Sequence, residues 1–525
     1  MKKHFVLPLG LGALLLALIA FGTGMLVTAA PNGQDGEDLA TPTLFPVENA
    51  AYELSVVGGE DVTLTFEAQE IDGFSISETT ATSEYPNGMT FTVNAESPNG
   101  EIVDVILFIR FDFGSGTRVV AEWDDEAGAW VARPWSAGGR PPWSRFDIYW
   151  RVRDETDVFV DTAPHTIDYF DPAHTWFRSE SDHMVLYWYG FGEDVAYDIS
   201  QTMADRIEGT VPRWEAGFGS YLSYKPIVII FPDRDAMNAM YGEDGVANPR
   251  VAGFTSSDLG MSVQVLREAG TPDALSECIY APEDPVAYWT MERRISTIYG
   301  TTAHELTHLH QFELAGGRMG FEWWSEGQAE WFANTGRQYD MRLRHLATLQ
   351  DLPSLTTTIG SDLAQADGCR ALSYLVGPSF INYLLANYGG VETHGEIMRL
   401  IRDEGYLVFD AIEAVTGESF FDLENDWRVY LGFEPFSLAD IDPASALEPA
   451  VDPVAAVGDV VTLPAMPPLP AVYADPSPTA ATTGQCFANM DITILTVGSL
   501  DGVNYYEVDC MGQIGWMPEE LIAGQ

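Results

Sequence analysis

Lysine is almost missing from this chain. It occurs only at positions 2, 3 and 225 of 525, and every other basic residue is Arg. The 26 basic residues face 78 acidic ones, for a formal net charge of −52. A phosphate backbone is repelled by such a surface, so the composition excludes a nucleic-acid binder. Cysteine is scarce too, which excludes a cysteine-rich scaffold. Cys278, Cys369, Cys486 and Cys510 are the whole set, and no spacing among them resembles a zinc knuckle. Four cysteines allow three pairings. Proximity favours Cys486–Cys510 within one small unit and Cys278–Cys369 across the middle. Beyond the N-terminus no run of 18 apolar residues recurs, which excludes a polytopic membrane protein. Apolar residues are not lacking: they make up 46% of the chain, and aromatics 12%. That is enough to build cores and excludes wholesale disorder. The length predicts several domains rather than one.

Lys2 and Lys3 precede an almost unbroken apolar run over 5–27, which ends in Thr28-Ala29-Ala30. This is the pattern of an export signal over 1–30. If retained, the run is long enough to serve as an N-terminal membrane anchor. Residues 1–30 carry only the two Lys charges, so cleavage after Ala30 takes the net charge from −52 to −54. Residues 31–47 read as a linker. Over 48–172, short alternating segments (52–57, 62–66, 102–111, 146–152, 158–162) are separated by turn signals. They predict an all-β, immunoglobulin-like sandwich. Over 173–436, strand-like 184–189, 226–231 and 260–266 surround a helical 194–208. Helix-period segments follow at 292–314, 325–349, 373–387, 394–402 and 422–430. Strands followed by helices predict an α+β domain. A proline-rich linker (437–453) leads to a small, turn-rich β-unit over 454–525, expected to be a barrel.

The chemistry concentrates in Thr302-Ala303-His304-Glu305-Leu306-Thr307-His308. On a helix, His304 and His308 share a face about 6 Å apart, so both imidazoles reach one metal ion. Glu305 is turned about 100° away, beside the metal, where a general base takes a proton from water. His310 points off that face and reads as a packing or hydrogen-bonding residue. A hydrolytic zinc site needs a third protein ligand. Glu326, 18 positions after His308, is the candidate, with Glu322 as the alternative. Ala315-Gly316-Gly317 lets the chain turn back between them. Glu330, one turn beyond Glu326, suits the acceptor of a ligand imidazole's second N–H. The alternative for Glu330 is a solvated acid.

His304-Glu305-x-x-His308 followed by Ser325-Glu326-Gly327-x-Ala329-Glu330 resembles the gluzincin zinc metallopeptidases. The likeness is to the bacterial peptidase MA-like group and, more distantly, to the metallo-aminopeptidases. The resemblance implies a zincin-like domain holding Zn2+ on His304, His308 and Glu326. Ser325 stands where the aminopeptidase segment has Asn. Ser373-Tyr374-Leu375-Val376-Gly377 is similar to the segment whose Tyr stabilises the tetrahedral intermediate. Tyr374 is therefore a candidate oxyanion donor, apt because negative charge develops there. The alternative is a phenol packed in a helical core. Leu375 replaces the basic residue of that segment, and no acidic motif for gripping a free substrate N-terminus is evident. In zincins an edge strand lies over the metal helix and pairs with substrate. The segment 260–266 could fill that place, or could be an ordinary interior strand.

Residues 460–462, 502, 505–508 and 515–517 resemble a bacterial Src-homology-3-like domain, which implies a cell-wall or surface ligand. The segment 147–154, with 169–172, resembles the β-domain that precedes MA-like peptidases. Together these features predict an exported, extracellular or cell-surface zinc metallopeptidase acting on a peptide or protein substrate. Two alternatives stand beside it: a surface adhesion or binding protein with a catalytically weak zinc domain, and a hydrolase using the same site on a non-peptide or cell-wall peptide bond.

Overall fold

The computed structural model describes residues 49–523 except 60–62, 112, 115, 136–139, 192, 242–250, 267–290, 316–320, 335–337, 349–350, 357–371, 438–443, 445–446, 464–470, 477–481, 487–488, 501 and 511–512. The export segment and the proposed Cys278–Cys369 pair lie outside the described residues. No helix among the described residues is long and apolar enough to cross a membrane.

The N-terminal region is sheet-rich. One five-stranded sheet centres on Met89–Val93 and another on Arg145–Asp154. Alternation drives both. Val105, Leu107, Ile109 and Phe111 point inward from one strand, and Phe146, Ile148, Trp150 and Val152 from its neighbour. Period-2 patterning puts every second side chain on the buried face.

The central region is built on a six-stranded sheet. Its strands are β1 (Glu53–Gly58), β2 (Thr175–Glu180), β3 (Val185–Trp188), β4 (Ile227–Phe231), β5 (Gly253–Ser256) and β6 (Met261–Val265). Their spatial order is β1-β2-β3-β4-β6-β5. β4 runs parallel to β3 and to β6, while the remaining pairs are antiparallel. Helix α1 (Glu193–Phe218) makes the crossover from β3 to β4. The sheet lies between two cores. On β4, Val228 and Ile230 join the helical core, whereas Ile229 and Phe231 join the core of the N-terminal sheets.

Some expectations change here, and one open alternative closes. The segment around 52–57 belongs to the central sheet, pairing with β2, rather than to the sandwich. Leu54 packs with the helices and Val57 with the N-terminal core, a two-sided role that alternation alone does not reveal. The strand β6 is interior, with all five residues buried, and among the described residues the edge strand is β5. Helix α1 runs ten residues past its expected end at 208, through Pro212. Proline removes one hydrogen bond, but Val211, Trp214 and Phe218 continue the buried stripe, and their packing decides.

The helices that follow are α2 (Met291–Leu314), α3 (Glu322–Ala333), α4 (Tyr339–Ala347), α5 (Ser373–Tyr388) and α6 (Val391–Arg399). The C-terminal unit is a six-stranded sheet with its own core, including Leu463, Val472, Ile494, Tyr506 and Met517. Cys486 and Cys510 form a disulfide there, Cα–Cα 6.0 Å. Its outer strands, Val460–Thr462 and Thr482–Gln485, do not pair with each other, so the expected barrel is not closed among the described residues. The end of the expected linker docks on this sheet: Glu448 bridges Ser499, and the Val451 N–H donates to Asn504.

Candidate metal centre

Helix α2 buries Ala303, Leu306 and Leu309 in the helical core, which fixes its rotation. His304 and His308 then fall one turn apart, facing α3. Their Nε2 atoms are 3.1 Å apart. Glu326 Oε2 on α3 lies 3.0 Å from His304 Nε2 and 3.5 Å from His308 Nε2. It is buried, and neither approach has hydrogen-bond geometry. Among the described residues, His304, His308 and Glu326 form the one group of three ligating side chains close enough for a shared metal ion. The alternative, Glu322, is not in it.

The second nitrogen of each ring faces an acceptor, with hydrogen-bond geometry for His308 but not for His304. His304 Nδ1 lies 3.1 Å from Glu330 Oε1, and the Tyr339 hydroxyl donates to Glu330 Oε2. His308 Nδ1 meets the Gln311 amide oxygen at 2.7 Å. Were both rings to carry their single proton on Nδ1, two nitrogen lone pairs and a carboxylate oxygen would converge on one point. Such a cluster calls for positive charge. Burial alone would depress the His304 pKa, but Glu326 and Glu330 raise it to about 10. The His308 pKa is also raised, against burial, by Glu326. Burial would push the Glu326 carboxyl up, yet the two imidazoles hold it well below the usual carboxylate range.

The donor set fits Zn2+. A tetrahedral site with Zn–N and Zn–O distances of about 2.0–2.1 Å spaces its ligand atoms about 3.3 Å apart, close to the separations here. Two imidazoles and one carboxylate supply three protein ligands, one fewer than a tetrahedral ion takes.

Glu305 is buried at the rim. Its Oε2 accepts a 2.7 Å hydrogen bond from the Thr255 hydroxyl on edge strand β5. Tyr374, at the start of α5, stacks on the His304 ring with centroids 5.8 Å apart. Burial first, and then the charges of Glu326, Glu305 and Glu330, push its phenol well above the ordinary value, so it stays protonated. Two glycines bring it there. A Cβ on Gly377 would meet the Trp323 carbonyl at 2.0 Å and Gly327 Cα at 2.7 Å. Backbone contact between α3 and α5 therefore requires both glycines. His310 is buried against Trp214, its Nδ1 bonded to the Leu306 carbonyl, and burial drops its pKa to about 3. It stays apart from the cluster.

The structure brings His304, Glu305, His308, Glu326, Glu330 and Tyr374 together. Sequence reasoning missed Thr255, Gln311 and Tyr339. Only Gln311 carried a signal, standing three positions after His308 on the same helix. A separate cavity of about 380 Å³ is lined in part by Arg145, Arg178, Tyr187, Tyr224 and Lys225. Its cations are paired, Arg145 with Asp168 and both Arg178 and Lys225 with Glu180. No family model matches the chain, and no curated protein matches it.

Proposed function

We propose that the chain is a zinc-dependent metallopeptidase of gluzincin type, exported and acting on peptide or protein substrates. The observation that carries this reading is the convergence of His304 Nε2, His308 Nε2 and Glu326 Oε2 within 3.5 Å, with the charge of Glu305 acting on His308. Bound zinc supplies a Lewis acid for the scissile carbonyl and lowers the pKa of the attacking water. Glu305 takes the proton of that water and passes it to the leaving amine nitrogen as the C–N bond breaks. Thr255 orients the Glu305 carboxylate. Tyr374 keeps its proton and donates to the carbonyl oxygen as negative charge develops. The edge position of β5 suits it to pair with an extended substrate. In the same reading the N-terminal sheets form the immunoglobulin-like β-domain. The C-terminal sheet is the Src-homology-3-like module, for a cell-wall or surface ligand, and residues 1–30 direct export.

The test is hydrolysis of a random peptide library with and without chelator. Glu305→Gln should keep one zinc per chain and lose at least about 10²-fold in turnover. Cleavage equal to the parent's would overturn the mechanism. A parent that holds zinc and cleaves nothing would favour the surface-binding reading.

A further inference from the structure

A buried chain of polar side chains runs from His308 away from the metal centre and ends on α1. His308 Nδ1 meets Gln311 Oε1 at 2.7 Å. Gln311 Nε2 donates to the Ser325 carbonyl at 2.8 Å and to Gln328 Oε1 at 2.7 Å. Gln328 Nε2 lies 3.0 Å from His394 Nε2, and His394 Nδ1 lies 2.7 Å from the Gly217 carbonyl. Gln311, Gln328 and His394 are each no more than 1% exposed.

Its polarity is fixed at both ends. A backbone carbonyl only accepts, so His394 carries its proton on Nδ1, facing Gly217. The ring sits among Trp324, Phe218 and Phe332. This apolar cage drops its pKa to about 4, so it is neutral and its Nε2 is an acceptor. Gln328 must then turn its NH2 to His394 and its oxygen to Gln311. The Ser325 carbonyl independently demands an NH2 from Gln311. The Gln311 oxygen is left for His308, whose Nδ1 must be the donor. Reversing the chain would set the Gln311 oxygen against the Ser325 carbonyl. Two buried acceptors set against each other, with neither paired, are costly, so one direction wins.

We infer that Gln311, Gln328 and His394 are positioning residues that hold His308 in the Nδ1–H tautomer, presenting a bare Nε2 to the metal. The inference rests on the zinc-centre reading. The three residues come from α2, α3 and α6, so the relay also ties the histidine helix to the Glu326 helix and to the outer helices. His304 Nδ1 instead faces a carboxylate, Glu330, at 3.1 Å without hydrogen-bond geometry.

The test uses the full chain, with zinc as the probe. Zinc affinity is measured by chelator competition for the parent, Gln311→Met, Gln328→Met and His394→Phe, each checked for parent-like circular dichroism. Gln311→Met should bind zinc about 10–100-fold more weakly, with smaller losses for Gln328→Met and then His394→Phe. Affinities within twofold of the parent in all three folded variants would overturn the relay and leave the centre standing. A parent that binds no zinc would instead overturn the centre. Nitrogen-15 labelling of the nine His provides a readout that needs no variant. In the zinc-loaded parent at pH 7, His394 should resonate as the neutral Nδ1–H tautomer. An Nε2–H tautomer or an imidazolium there would overturn the relay's direction.

Discussion

His304 is buried, yet its pKa sits near 10, above the usual 6.5 for histidine. Without metal, the ring is therefore protonated at pH 7, and the proton supplies the positive charge that Glu326 and Glu330 demand. A metal ion can use Nε2 only after that proton leaves. Zinc uptake at pH 7 should therefore release about one proton from His304, and more if His308, also raised, holds one. The sign follows: affinity should climb between pH 7 and 10 by about tenfold per pH unit for each proton displaced. Calorimetric titration with zinc in two buffers of different ionisation enthalpy counts those protons. Release of none, or an affinity flat across this range, would mean either that His304 holds no such proton at pH 7 or that it is not a ligand. The residues of this site divide by how their partners are supplied. His304, Glu305 and His308 were legible because one helix fixes their spacing, and Glu326 and Glu330 because a second helix repeats it. Thr255, Gln328 and His394 acquire their roles only when separate elements pack together, which spacing along the chain does not encode.

At the scale of elements, the strand over the site is the instructive case. Met261–Val265 alternates and is β-rich, which leaves an edge strand and an interior one equally open. It is interior because β4 pairs with it on one side and β5 on the other. The real edge, Gly253–Ser256, has only four residues, and its Gly and Ser read as a turn. The contact of α3 with α5 is similarly hidden, since two lone glycines seldom announce a helix crossing. Their closeness makes a prediction. In Gly377→Ala the new methyl meets backbone, not a flexible side chain, so α5 must move away from α3. Overpacking of this kind costs about 1–3 kcal/mol. The shift also draws Tyr374 from the carboxylates. Gly377→Ala should lower the thermal midpoint of the helical region and reduce kcat more than it raises KM. A variant with parental midpoint and kcat would show that the glycine contact does not set Tyr374.

At the scale of the molecule, the central sheet packs against two cores, so the N-terminal sheets and the helices brace the same strands from opposite faces. That architecture places β5 and the metal centre at one edge of the sheet, within a chain carrying −52. The scarce cations do little to offset the field. Arg110, Arg145, Arg151, Arg178 and Lys225 are each paired with an acid. At the centre, Glu305, Glu326 and Glu330 outnumber the charge that one divalent ion would bring. Approaching substrates therefore meet a negative potential over a range set by salt. The Debye length is about 30 Å at 0.01 M ionic strength and about 8 Å at 0.15 M. Across a peptide series of graded charge, kcat/KM should favour basic over acidic members at low salt, chiefly through faster association. The advantage should shrink as salt rises, because uncharged contacts with the peptide are not screened. A preference for acidic peptides at 0.01 M would mean that the cleft reverses the field of the whole chain, against the count of carboxylates around it.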